Sequence, residues 1–176
     1  MRRVSFLPSL LTIGNFTCGF VAVVLCLQAM RCHSMAVGLE EFSGQPAATL
    51  ADPGRAQIQG ALKTDRARAA ELLHWACMAI FLAMLFDMLD GQVARMTGSE
   101  SRFGAELDSL ADGCSFGVAP ACIAVTLWIQ AQPDYAQWWS LVMVCGAAYA
   151  ACAVLRLARY NVEIGSSDKN YFTGLP

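Results

Sequence analysis

The sequence predicts an all-α fold, a polytopic bundle of membrane-spanning helices. Hydrophobic residues make up 56% of the 176 residues and charged residues only 15%, and the mean hydropathy is +0.45. These values lie outside the usual balance of soluble domains. The charged residues are also unevenly spread and leave long apolar stretches without charge. The chain has no basic domain or tail, so the composition argues against a nucleic-acid partner.

Four apolar stretches approach or exceed the roughly 20 residues that a helix needs to cross a bilayer. They cover about residues 6–30, 70–89, 103–129 and 137–160. Pro120 predicts a kink in the third helix. The polar segment 31–68 has no strong periodicity, and we interpret it as a solvated inter-helix loop with room for a short interfacial helix near its end. The whole chain, residues 1–176, is then one membrane domain.

The distribution of Lys and Arg predicts a cytoplasmic N-terminus. With that orientation seven basic residues fall inside and five outside, and membrane proteins favour basic residues on the cytoplasmic side. The turn 131–136 contains neither Lys nor Arg, which suits the outer side.

The segment from Asp87 to Asp112 concentrates acidic residues at helical spacing. At 100° per residue, one face of the second helix carries Asp87, Asp90, Gly91, Ala94 and Arg95. On the next helix a narrow stripe follows at i, i+4 and i+8, formed by Gly104, Asp108 and Asp112. The segment 96–103 contains glycine and serine and suits a tight turn. We therefore expect two antiparallel helices whose polar stripes face each other.

Four converging carboxylates repel one another, and a membrane-central Asp costs about 2.5–3.5 kcal/mol on insertion scales. Oxygen-only ligands suit a hard cation, Mg²⁺ or Mn²⁺, and four carboxylates can share two ions. Arg95 offers a guanidinium fork for a phosphate, while Gly91 and Gly104 leave room for a bulky substrate. The competing interpretation, solvated acids around a loop, suits Glu100 and Glu106, which lie off the stripes.

These residues form the pattern D-x-x-D-G-x-x-A-R-x8-G-x-x-x-D-x-x-x-D, with all eight specified positions met within 26 residues. The pattern resembles the signature of the CDP-alcohol phosphatidyltransferases. The resemblance implies that the four aspartates bind two divalent ions and that Asp112 also activates the acceptor hydroxyl. It implies a CDP pocket lined by Gly91, Ala94, Arg95 and Gly104. Thr12 fits the family pattern as a further CDP contact.

Flanking segments resemble the phosphatidylserine synthase branch of that family. They are LPSLLTIGNFTCGF at 7–20, LDSLADGCSFGVAPA at 107–121, RLARYNV at 156–162 and YFTGLP at 171–176. This branch implies CDP-diacylglycerol and L-serine as substrates, and the family resemblance implies a homodimer. With the N-terminus inside, as the Lys and Arg distribution predicts, the active site lies on the cytoplasmic side. The family has six core helices, so we expect these four to be the N-terminal portion of its fold.

Two alternatives stay open at this point. The same chemistry with glycerol 3-phosphate or an inositol phosphate as acceptor would require an extra basic pocket. A non-catalytic membrane protein would explain intramembrane acids but not the Gly/Ala/Arg pattern. Arg156 and Arg159, one turn apart in the fourth helix, either anchor the helix at the cytoplasmic surface or bind the serine carboxylate or a lipid phosphate.

Overall fold

The computed structural model describes residues 6–43, 52–97, 102–132 and 137–164. Among these residues there are helices and no strand, which confirms the all-α prediction. The helices are α1 (Phe6–Ser43), α2 (Asp52–Thr97), α3 (Arg102–Asp112), a π-helical segment (Gly113–Val118), α4 (Ala119–Ala131) and α5 (Trp139–Ile164).

Four segments are long and apolar enough to cross a membrane, as predicted. They are Ser9–Glu41, Ala56–Ala94, Phe103–Ala131 and Trp139–Val162. The third of these combines α3, the π-helical segment and α4. Pro120, which has no N–H to donate, lies in the first turn of α4 just after the π-helical segment. The π-helical segment itself was not predicted from the sequence.

The predicted loop over residues 31–68 is helical wherever the structure describes it, so the loop prediction was wrong for residues 31–43 and 52–56, whereas the short helix allowed near its end, at about residues 57–68, is present as part of α2. α1 continues through residue 43 and α2 begins at Asp52, while residues 44–51 lie outside the described part of the chain. The two helices continue as a paired hairpin, with an ion pair between Glu40 and Arg66. Polar residues on an exposed helical surface give no apolar stripe, so hydropathy alone reads such a helix as a loop.

Small side chains let the helices pack closely in the middle of the bundle. The buried cluster consists of Ala22, Cys26 and Ala29 of α1, Ala69, Leu73 and Ala76 of α2, and Ala119 and Ile123 of α4. In a membrane, lipid chains are as apolar as leucine, so close van der Waals contact between small residues drives helix association. The buried residues here are mostly alanine, as that principle predicts.

α5 packs antiparallel to the third span. Three contacts fix this register: Ser109 with Asn161, Gly113 with Val154, and Val125 with Gly146. The first half of α1, the last part of α2, α3 and the last part of α5 therefore lie together at one end of the bundle, which we call the carboxylate end. The opposite end, where Glu40 and Arg66 pair, is called the distal end.

Candidate active site

Three of the four predicted aspartates form a tight group at the carboxylate end. Asp87 and Asp90 lie three residues apart on α2, and Asp108 faces them from α3. One carboxylate oxygen from each residue lies within 4.8 Å of the others. Asp90 is buried, and the other two are half-buried. The helical spacing and the short connection between α2 and α3 bring the three together, as the sequence predicted.

Asp112, the last residue of α3, lies beside this group rather than within it. Its carboxyl group interacts electrostatically with those of Asp87, Asp108 and Asp90. Its Oδ1 accepts a hydrogen bond from Asn15 Nδ2 at 3.0 Å. Four carboxyl groups from two helices thus meet in one small region, and the fourth is held by a third helix.

α1 supplies hydrogen bonds to one carboxylate on each of the other two helices. Thr12 Oγ1 donates to Asp90 Oδ2 at 2.9 Å, and both side chains are about 95% buried, with exposures of 4% and 5%. Asn15 follows Thr12 by three residues and so lies on the same helical face. The hydroxyl of Thr12, predicted to contact CDP, is in this structure a partner of a candidate metal ligand.

Asn15 and Ser115 are site residues that the sequence reasoning missed. Asn15 is 0% exposed, and its backbone oxygen accepts a hydrogen bond from Ser115 Oγ at 3.0 Å. An amide within an apolar membrane helix is costly without a partner and points to an interior contact. That signal was present in the sequence at Asn15. The sequence signal at Ser115 was weaker, because the hydroxyl of a serine in a membrane helix often bonds to the backbone of its own helix.

A close approach of α1 to the π-helical segment makes these contacts possible. A Cβ added at Gly19 would lie 2.3 Å from Ser115 Oγ and 2.7 Å from Ser115 Cα. Only glycine fits at that distance. The π-helical segment begins directly after Asp112, and π-helical turns inside α-helices occur frequently at functional sites.

The chemistry of this donor set fits a hard divalent cation. All four side chains offer carboxylate oxygens, the ligands that Mg²⁺ and Mn²⁺ prefer. Among the described residues, the buried Asp108 Oδ1 has no hydrogen-bond partner. A buried polar atom without a partner carries a desolvation cost of about 1–3 kcal/mol, and more if charged. A bound cation would offset that cost, so the residues present fit a metal site.

The remaining predicted residues belong to α2, α3 and α5, and the structure describes the side chains of all of them except Arg95. Gly91 and Ala94 follow Asp90 on α2 and are half-buried, as is Gly104, one turn before Asp108 on α3. The backbone of Arg95 belongs to α2, but its side chain lies outside the described part of the structure. Two further predicted residues are exposed on α5, toward the carboxylate end: Arg156 and Arg159.

Comparison with known proteins identifies the relatives of this chain. It is 44% identical over 104 residues to a CDP-diacylglycerol–serine O-phosphatidyltransferase of Saccharomyces cerevisiae, covering 55% of this chain and 35% of the relative. The protein of that name from Mycobacterium leprae is 40% identical over 106 residues, covering 57% and 33%. That of Bacillus subtilis is 28% identical over 173 residues, covering 98% and 70%.

The chain thus spans about a third of the length of the yeast and mycobacterial relatives. No solved structure matched it significantly. The family model described as CDP-alcohol phosphatidyltransferase matches residues 60–172, which include the whole of the Asp87–Asp112 segment. With that match and the carboxylate group in place, the chain belongs to the CDP-alcohol phosphatidyltransferase family.

Proposed function

We propose that this protein transfers the phosphatidyl group of CDP-diacylglycerol to L-serine, giving phosphatidylserine and CMP. The main observation behind the proposal is the group of three carboxylates within 4.8 Å of one another, with Asp112 beside it. All four aspartates belong to the family's signature. The names of the yeast, mycobacterial and Bacillus relatives support serine as the acceptor.

Two divalent ions, Mg²⁺ or Mn²⁺, are proposed to bind the four aspartates: Asp87, Asp90, Asp108 and Asp112. When bound, such ions supply positive charge that neutralises phosphate oxygens and the departing phosphate. The contribution of the protein is to hold the carboxylates at fixed positions. Thr12 holds Asp90, and the two aspartates of α2 are fixed relative to each other by one turn of helix.

Asp112 is proposed to accept the proton of the serine hydroxyl. The serine oxygen then forms a bond to the phosphorus that carries the diacylglycerol group. The bond between that phosphorus and the oxygen of CMP breaks, and CMP leaves with the electron pair. Arg95 is proposed to bind a phosphate of the CDP group, since a guanidinium donates two parallel hydrogen bonds to such oxygens. Gly91, Ala94 and Gly104 leave space for the nucleotide.

The serine carboxylate or a lipid phosphate is proposed to bind Arg156 or Arg159. The register of α5 supports this assignment, because Asn161 Nδ2 donates to Ser109 Oγ at 2.6 Å, and Ser109 follows Asp108. Both arginines precede Asn161 by less than two helical turns and are exposed. Their exposure places them on the surface that a substrate approaching the carboxylate end would meet.

The carboxylate end and the N-terminus are proposed to lie on the cytoplasmic side, supported by the Lys and Arg distribution. A homodimer is proposed as well. The span of α5, Trp139–Val162, has no buried residue in its most apolar window, which leaves an apolar helix face open to lipid or to a second copy.

The direct test is release of CMP from CDP-diacylglycerol by the purified full-length protein with a panel of acceptor alcohols. We expect L-serine to support release, with phosphatidylserine as the lipid product. Release with glycerol 3-phosphate or an inositol phosphate instead would contradict serine as the acceptor, while it would still support phosphatidyl transfer from CDP-diacylglycerol. Protein that binds divalent metal but releases no CMP with any acceptor would indicate a non-catalytic role.

A further inference from the structure

We propose that Asn15 is a positioning residue that fixes the orientation of the Asp112 carboxylate for the transfer reaction. This inference rests on the proposed function, and it assigns to α1 a role outside the family's signature segment. The starting observation is the hydrogen bond from Asn15 Nδ2 to Asp112 Oδ1 at 3.0 Å. It links positions 97 residues apart in sequence, so it depends on the tertiary packing of α1.

Asn15 is itself held from the segment that follows Asp112. Its backbone oxygen accepts from Ser115 Oγ at 3.0 Å, and Asn15 and Ser115 are both 0% exposed. Two hydrogen bonds therefore join one residue of α1 to two residues a single turn apart. Movement of Asp112 relative to α1 would break one or both. The glycine at position 19 keeps this arrangement close, because any larger side chain would collide with Ser115.

The amide of Asn15 is oriented by the carboxylate. A side-chain NH₂ only donates, and a carboxylate only accepts, so the amide must present its nitrogen to Asp112. This orientation leaves the other polar atom of the amide, the carbonyl oxygen, without compensation. The buried Asn15 Oδ1 has no hydrogen-bond partner among the described residues. The contact to Asp112 thus determines how the amide lies.

This contact orients the carboxylate of Asp112 from one side. A carboxylate has about four lone-pair sites, so accepting the Asn15 donor at Oδ1 leaves other sites for a metal ion and for the hydroxyl of the acceptor. Fixing the carboxylate plane lowers the cost of reaching the reactive geometry, in which the atoms must lie about 3–3.5 Å apart. Loss of Asn15 would let the carboxylate rotate without removing any of its oxygens.

Thr12, on the same face of α1 as Asn15, binds a different aspartate and so allows the two contacts to be compared. Its hydroxyl binds Asp90, a member of the tight group of three, whereas Asn15 binds the aspartate beside that group. We therefore expect Thr12→Val to raise the metal concentration needed for half-maximal activity. Asn15 variants are expected to lower turnover while the metal requirement stays within about threefold.

The test uses Asn15→Ala and Asn15→Leu, which keeps a branched side chain without a donor or a charge, with Thr17→Val as the matched control. Thr17 lies on the same helix, is exposed, and its hydroxyl bonds only its own helix, at Ile13 O. Steady-state CMP release with varied serine, CDP-diacylglycerol and Mg²⁺ gives kcat, both KM values and the metal requirement. We expect kcat to fall about 10–100-fold in both Asn15 variants, the usual cost of losing a residue that orients a metal-site ligand. Both KM values should stay within about threefold, and Thr17→Val should match wild type.

The outcomes separate the Asn15 role from the proposed function. If wild-type protein releases CMP and Asn15→Leu keeps kcat within about twofold, Asn15 does not position Asp112 and the transferase assignment stands. A fall of kcat matched by an equal rise in KM or in metal requirement also overturns the positioning role. Wild-type protein that releases no CMP overturns both. Asn15→Leu leaves no cavity and adds no charge, so it keeps the test decisive if Asn15→Ala fails to fold.

Discussion

The two ends of the bundle use polar side chains in opposite ways. At the carboxylate end, three side-chain hydrogen bonds that involve α1 are wholly or partly buried and join residues 78, 97 and 100 positions apart. At the distal end, Glu40 and Arg66 form an ion pair whose side chains are 43% and 59% exposed. Both ends carry charge, but only the first holds it inside the packed helices.

This difference shows why charge alone does not mark a functional site. An exposed ion pair is screened by water and contributes only about 0–1 kcal/mol. Withdrawing carboxylates from water costs free energy unless an opposite charge compensates them. Four such carboxylates at one place therefore indicate a bound ligand or a reaction that requires them.

The largest effect among the mutations is expected at Asp112. Asp112→Asn keeps the size and one potential ligand oxygen but cannot accept the serine proton. We expect kcat to fall about 10²–10⁴-fold, as for loss of a general base, with a much smaller change in CDP-diacylglycerol affinity. Binding and turnover should be measured on the same variant. If affinity falls in step with kcat, or kcat barely changes, Asp112 acts only as a metal ligand.

A smaller effect is expected from the exposed arginines of α5. Removing a charged hydrogen-bond donor costs about 1.5–3 kcal/mol, so Arg156→Ala or Arg159→Ala should raise the KM for serine about tenfold or more. The KM for CDP-diacylglycerol should change much less. Equal changes in both KM values, or none in either variant, would show that these residues serve as membrane anchors.

Alanine substitutions at two glycines of α1, one toward each end of the bundle, allow the packing of the two ends to be compared through the free energy of unfolding. Gly19→Ala would place a Cβ 2.3 Å from Ser115 Oγ, whereas a Cβ at Gly38 meets nothing within 4 Å. We expect Gly19→Ala to lower the free energy of unfolding by about 1–3 kcal/mol, and Gly38→Ala to raise it by up to about 1 kcal/mol. Midpoints of unfolding in mixed micelles measure both. Similar midpoints for the two variants would contradict the close approach of α1 to the π-helical segment.

The smallest effect is expected at the distal ion pair. Glu40→Gln should change the free energy of unfolding by no more than about 1 kcal/mol and leave CMP release unchanged, because the pair lies far along α1 from the carboxylates. Arg66→Gln is the matched variant from the other helix. A severalfold loss of CMP release in either variant would mean that the distal end takes part in the reaction.

Periodicity predicted the part of the site that depends on local structure. Asp87 and Asp90 share a helical face because of their spacing, and the short connection between α2 and α3 brings Asp108 opposite them. Hydropathy likewise predicted four membrane spans. These features follow from neighbouring residues, so one sequence was enough to find them.

The contacts made by α1 could not be predicted in this way. Nothing in the spacing of Thr12 and Asn15 tells which helices they face, because that depends on packing between segments about 80–100 residues apart. The helical continuation over residues 31–43 and 52–56 was missed for another reason. A helix with many polar, exposed residues shows no continuous apolar run, and its pairing with a second helix is again a tertiary property.

The carboxylate group is proposed to work as a divalent-metal site for phosphatidyl transfer. This role can be tested by measuring CMP release from CDP-diacylglycerol and serine after exhaustive chelation, followed by addition of Mg²⁺ or Mn²⁺. We predict that activity vanishes with the chelator and returns with either metal, because oxygen-only ligands favour such cations. Turnover that continues undiminished in excess chelator would contradict the claim.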